Sequence, residues 1–194
     1  MNRRQFVGSL SAGAAALALT PLTACNSTDV WHQIEEWVPL GIQSFEAIVA
    51  LVDPIASPAI AAIAQMVEAG FSALSAAIDG YLNAPAADKA TFAQKVELIF
   101  QQLTANIQNF LTAIGQSSNP IVKIAVALIG IIVSTIEGFL NQIMPSPAPP
   151  ATFKVGRDTI TVQPVKRTRK DYIAAWNEVA NANNQPQLRL PQVK

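Results

Sequence analysis

The segment from Asn119-Pro120 to Met144 constrains the fold more than any other part of this 194-residue chain. It is apolar almost all round, and between Lys123 and Glu137 it runs for 13 uncharged residues. A helix without a polar face must be covered on every side, by other helices or by lipid. Thirteen residues rise about 20 Å as a helix, short of a hydrocarbon core of about 30 Å. The segment therefore reads as the central helix of a bundle, wrapped by three others and ended by Pro145.

Three such helices precede it, each carrying apolar residues at spacings of three and four. The first is expected from about Asp29, as N-cap, to Val52, with Ile34, Trp37, Phe45, Ile48 and Val52 inward. Pro39 and Gly41 predict a kink or break within it. The second opens at Ser57-Pro58, carries Ile60, Ile63, Val67, Phe71, Leu74 and Ile78, and is expected to stop near Asp79-Gly80. The third follows Pro85-Ala86-Ala87-Asp88 and sets Phe92, Val96, Ile99, Leu103, Ile107, Phe110 and Ile114 against Gln94, Lys95, Gln101, Gln102, Gln108 and Asn109. Gly130, Ser134 and Gly138 form a small-residue stripe on the fourth helix, and Ala69, Ala73 and Ala77 form another on the second. Together they predict that these two helices pack closely on each other.

The first 25 residues have a different design. Asn2-Arg3-Arg4 precedes an uncharged apolar run from Phe6 to Leu19, followed by Leu22-Thr23-Ala24-Cys25. That is a three-part export signal, and its apolar core of about 14 residues is too short for a permanent span. Leu22-Thr23-Ala24-Cys25 resembles the lipobox of bacterial lipoproteins. The resemblance implies cleavage after residue 24, diacylation of Cys25 and an anchor on a bacterial membrane. Asn26 lacks the acidic mark that resembles inner-membrane retention, which favours the outer membrane or cell surface. Arg3-Arg4 before Gln5-Phe6-Val7 resembles a twin-arginine export motif, and an ordinary secretory signal fits the same residues.

Beyond the bundle, Pro145-Ser146-Pro147-Ala148-Pro149-Pro150 reads as a stiff linker. After it, Thr152–Val155 and Thr159–Val162 alternate around Gly156-Arg157-Asp158 as a short hairpin, with Phe153 and Ile160 as apolar contacts. A lone hairpin needs a partner surface, either the bundle or another molecule. Thr168 to Asn181 reads as an amphipathic helix with Tyr172, Ile173, Trp176 and Val179 on one side, followed by a polar tail. Charge separates the two parts: residues 25–151 hold three Lys, no Arg and ten acids, a net of −7, whereas residues 152–194 carry a net of +5. The two parts should attract. The cluster Lys166-Arg167-Thr168-Arg169-Lys170 suits phosphate-bearing polymers, anionic lipid or an acidic partner. No nucleic-acid module surrounds it, so nucleic acid is not expected as a partner.

Reactive residues are sparse. With one His and one Cys the chain holds neither a multi-histidine metal site nor an internal disulfide. Gly70-Phe71-Ser72-Ala73-Leu74 begins like a nucleophile elbow, lacks its second Gly and lies in a helical pattern. His32, Glu35 and Glu36 read as a solvated helix start. Glu68, Glu97 and Glu137 lie on three helices, and Glu137 interrupts the most apolar one, so it needs a partner such as Lys95 or Lys123. No catalytic residue, metal or cofactor is expected.

The expectation is an all-α, up-and-down bundle of about four helices with a proline-rich linker, a short β-hairpin and a small helix. Its boundaries are 1–24 for the signal, 25–144 for the bundle, 145–151 for the linker and 152–194 for a basic arm. The expected role is non-enzymatic binding or assembly in the cell envelope, through the bundle and through Lys166, Arg167, Arg169, Lys170, Tyr172, Trp176, Phe153 and Ile160. The partner would be a protein of the envelope or a second copy of the chain. Two alternatives are a membrane-active or immunity-type bundle that inserts its fourth helix, and a carrier of a small apolar ligand beside Phe71, Phe92, Phe100 and Phe110.

Overall fold

The computed structural model describes residues 27–52, 57–115, 121–145 and 149–192, with backbone alone for residues 45–52, 57–60, 114, 115, 121 and 122. The export signal, with Arg3, Arg4 and Cys25, lies outside the described residues. Four long helices, α1 (Ser27–Val52), α2 (Ser57–Asn83), α3 (Lys89–Gly115) and α4 (Ile121–Ile143), precede a hairpin of β1 (Thr152–Val155) and β2 (Asp158–Thr161). A fifth helix, α5 (Arg169–Ala182), and a 3-10 turn, Pro186–Leu188, complete the chain. The fold is an all-α bundle with a small hairpin.

The long helices run up and down in a ring: α1 packs on α2, α2 on α3, α3 on α4 and α4 back on α1. Trp31 fixes one corner, with ring centroids 6.2 Å from Phe71 of α2 and 5.1 Å from Phe139 of α4. At the same end the Tyr81 hydroxyl donates to the carbonyl of Ile143 at 2.7 Å, closing the carbonyl end of α4. Lys89 closes α2 in the same way, donating to the carbonyls of Tyr81 and Leu82 while its ammonium lies 4.4 Å from the Tyr81 ring centroid.

Several local expectations need correction. α1 continues through Pro39 and Gly41 without a break, and it opens at Ser27, which puts Asp29 in its first turn instead of at its cap. Burial of Trp37, Val38 and Ile42 on either side of the proline offsets the one missing N–H. α2 passes Gly80 and ends at Asn83, whose side chain bonds the carbonyl of Asp79 at 2.9 Å. A Cβ at Gly80 would lie 2.9 Å from Phe92, so the glycine serves close approach of α3 and does not end the helix.

The apolar fourth helix is central, but α2 is a minor cover of it and meets its end through the Tyr81 hydroxyl. In a ring of four, α2 stands diagonally opposite, and α4 keeps an outward face. Ala69 and Ala73 are exposed, and the stripe on α4 meets the C-terminal segment instead. Val165 donates its N–H to the carbonyl of Ser134 at 2.8 Å, and a Cβ at Gly138 would come within 2.3 Å of the Val165 carbonyl oxygen. Gly130 has nothing within 4 Å of its Cβ position. α5 and the extended segment before it cover the remaining face of α4, and β1 packs on α3. By length and hydropathy both Ala61–Asn83 and Lys123–Ile143 are sufficient to cross a membrane, and 78% of the latter window is buried inside the protein. Length therefore does not separate a core helix from a span, because one interior acid such as Glu137 still leaves enough apolar length.

The C-terminal segment is accordingly part of the bundle and not an arm on a stalk. Phe153, Val162, Tyr172, Ile173, Trp176, Leu188 and Leu190 share one continuous core with the four helices. The final stretch, expected as a polar tail, is pinned: Trp176 Nε1 donates to the Leu188 carbonyl at 2.7 Å, and the Asn177 amide pairs with both backbone groups of Leu190 at 3.0 and 2.8 Å.

Candidate functional site

The basic cluster is built by a helix start. Thr168 caps α5, its hydroxyl accepting from the Asp171 N–H at 3.3 Å while the Asp171 carboxylate accepts from the Thr168 N–H at 3.1 Å. The Thr168 hydroxyl, which also donates to that carboxylate at 2.7 Å, and after it the Thr168 N–H hold the Asp171 pKa below the usual carboxylate range. The capping box orients the first turn so that Tyr172, Ile173 and Trp176 turn inward and Arg169 and Lys170 turn outward.

The inward residues are consumed by the fold. Tyr172 packs edge-on to Trp37 at 4.9 Å and lies 5.8 Å from Trp176. A Cβ on Gly41 would fall 2.2 Å from the Tyr172 hydroxyl and 2.7 Å from Trp176, so this glycine admits α5 to α1. Phe153 is buried too, and Ile160 is half-buried. The expectation that Phe153, Tyr172 and Trp176 meet a partner is therefore corrected. Each already fills a core position, Phe153 on the strand that packs on α3 and Tyr172 and Trp176 on the helix that packs on α4 and α1. The hairpin is closed as well: the Gln108 side chain accepts from the Lys154 N–H at 2.7 Å and donates to its carbonyl at 2.8 Å, in the manner of a third strand. Strand addition on the free edge of β1 is thus blocked.

Arg167 divides from its neighbours. Its half-buried guanidinium donates to the hydroxyls of Ser134 and Thr135, and burial pulls its pKa down. Lys166, Arg169 and Lys170 are exposed. Arg169 reaches Glu36 at 3.9 Å, and Lys166 and Lys170 form no ion pair among the described residues. Lys170 also opens a groove of about 780 Å³ along α5, lined further by Ile173, Ala174, Asn177, Glu178 and Asn181. This groove lies away from Phe71, Phe100 and Phe110, which are packed in the core.

The acids behave differently. Glu68 is half-buried and Glu97 exposed, whereas Glu137 lies in the core. Glu137 is buried, and its partner is neither Lys95 nor Lys123. One oxygen accepts the Ala151 N–H at 2.6 Å, the other has no hydrogen-bond partner, and burial pushes its pKa up to about 7.

A second cluster joins α1 to α2. His32 Nδ1 lies 2.9 Å from Glu35, Ser75 donates to the other Glu35 oxygen, and Asp79 stands beside them. The Glu35 hydrogen bond raises the imidazole pKa, with Asp79 and Asp29 adding to it. Sequence reasoning took His32 and Glu35 for a solvated helix start and missed Asp79. The usable signal was topological: in an up-and-down pair, the start of one helix lies beside the end of the next. No protein family, characterised protein or solved structure matches this chain.

Proposed function

We propose that the chain is exported, acylated on Cys25 and held on an envelope membrane, where it binds an acidic protein partner without catalysis. The observation that carries this reading is the division of the basic cluster. Its apolar side and Arg167 are spent inside the molecule, while Lys166, Arg169 and Lys170 are exposed, Lys170 at the rim of the α5 groove. Fixed cations on a rigid helix start offer a partner charge recognition without ordering a loop. Removing residues 152–194 would uncover α4, so charge reversal is the cleaner probe. In pull-downs from envelope membranes, the full chain carrying Lys166→Glu, Arg169→Glu and Lys170→Glu is expected to lose a partner that wild type retains at low salt. An unchanged partner set would refute the binding mode. Intact mass of membrane-purified protein tests the anchor: acylated Cys25 to Lys194 is expected, and an unmodified chain from Met1 would overturn it.

A further inference from the structure

We propose that His32, Glu35 and Asp79 form a surface site for a divalent transition cation of the Zn²⁺ type, bridging α1 and α2. Each residue offers one donor atom, and the three atoms lie within 4.8 Å of one another. Around Zn²⁺, with ligands at about 2.0–2.2 Å, donors stand about 3.5 Å apart, so small side-chain rotations bring all three into the shell. One imidazole and two carboxylates make a borderline-hard donor set that suits Zn²⁺ over an oxygen-only ion such as Mg²⁺.

Independent observations point to a missing cation. Asp79 Oδ1 is fully buried and has no hydrogen-bond partner, a state that costs free energy unless a positive group meets it. No Lys or Arg pairs with Glu35 or Asp79 among the described residues; the ion pairs there are His32–Glu35 and Arg169–Glu36. The outer shell is in place, since the Ser75 hydroxyl holds the second Glu35 oxygen as supporting residues do around bound metals. His32 is exposed, which leaves the remaining coordination positions to water or to a donor from another molecule.

The test is calorimetric titration of ZnCl₂ into chelator-stripped full-length protein in detergent, repeated with MgCl₂, and with Co²⁺ as an absorption reporter. One equivalent of Zn²⁺ is expected to bind, raise Tm and exclude Co²⁺. His32→Ala and Asp79→Asn should each weaken binding about 10-fold or more. Neither replaces a core side chain, and helix content with metal-free Tm shows that both are folded. Glu97→Gln on α3, distant from the cluster, is expected to bind as wild type does. Absence of stoichiometric Zn²⁺ binding, or binding by both cluster variants as tight as wild type, overturns the proposal. Neither result depends on acylation or on the basic cluster.

Discussion

Two glycines eight residues apart on α4 are expected to respond in opposite directions. At Gly138 a methyl group would meet the backbone of Val165, which cannot rotate away as a side chain would. Gly138→Ala should therefore cost about 1–3 kcal/mol, the range for overpacking. At Gly130 the same methyl meets nothing, and the helix gains backbone order, so Gly130→Ala should stabilise by about 0.5–1 kcal/mol. Chemical denaturation of both variants checks the pair. Glu137 supplies a pH prediction. Its folded pKa is raised from 4.5 to about 7, so the folded state binds the proton more tightly than the unfolded state does. The Glu137 contribution to stability is full below pH 4.5, falls as pH rises toward 7 and then levels, a loss of about 3 kcal/mol at most. Glu137→Gln should abolish that slope and leave the protein more stable than wild type at pH 8, as urea midpoints at several pH values will show. The need for a partner here was legible, since an acid in an apolar helix demands one. Its identity was not, because a backbone N–H fourteen residues onward carries no sequence signature.

At the scale of elements, the helices were readable because their cause is local: spacing of apolar residues and Pro near starts. The helix does not break at Pro39 and Gly41 because local penalties compete with burial that only the assembled bundle defines. Gly41 matters for what crosses it, the rings of Tyr172 and Trp176, and a substitution there strikes the seam between α1 and α5. The hairpin shows the same division. The sequence announced a turn over Gly156-Arg157-Asp158; the structure tightens it to two residues, Gly156 at φ +62° and Arg157 at negative φ, with Asp158 already in the strand opposite Val155. That Gln108 would seal its edge was invisible, since a glutamine on a polar helix face looks solvated. Gln108→Ala should leave both Lys154 backbone groups to water, cost about 1–2 kcal/mol and speed exchange of the Lys154 amide several-fold, while amides in α4 stay protected. Unchanged exchange at Lys154, or equal acceleration in α4, would contradict the sealed edge.

For the whole molecule, the charge division suggested how the parts meet, and the packing shows that charge is a minor part of it. Arg169–Glu36, at 3.9 Å and exposed on both sides, is the ion pair between the C-terminal segment and the bundle among the described residues. Such a pair contributes no more than about 1 kcal/mol. The seam is instead apolar, with Phe153, Tyr172, Trp176 and Leu188 buried in the same core as Trp31, Phe110 and Ile136. A continuous core unfolds as one unit, so segment and bundle should melt together. The chain's three tryptophans make this measurable, two on α1 and one on α5. In Trp31→Phe/Trp37→Phe the remaining indole reports the C-terminal segment alone, while far-UV circular dichroism is dominated by the four long helices. The double variant loses stability, but its fluorescence and dichroism midpoints should coincide, in low salt and in about 1 M NaCl, where charges are screened beyond about 3 Å. Fluorescence that changes first, or only in high salt, would mean that residues 152–194 are held on by charge as a separate unit, and the cationic cluster would then be free to leave the bundle with its partner.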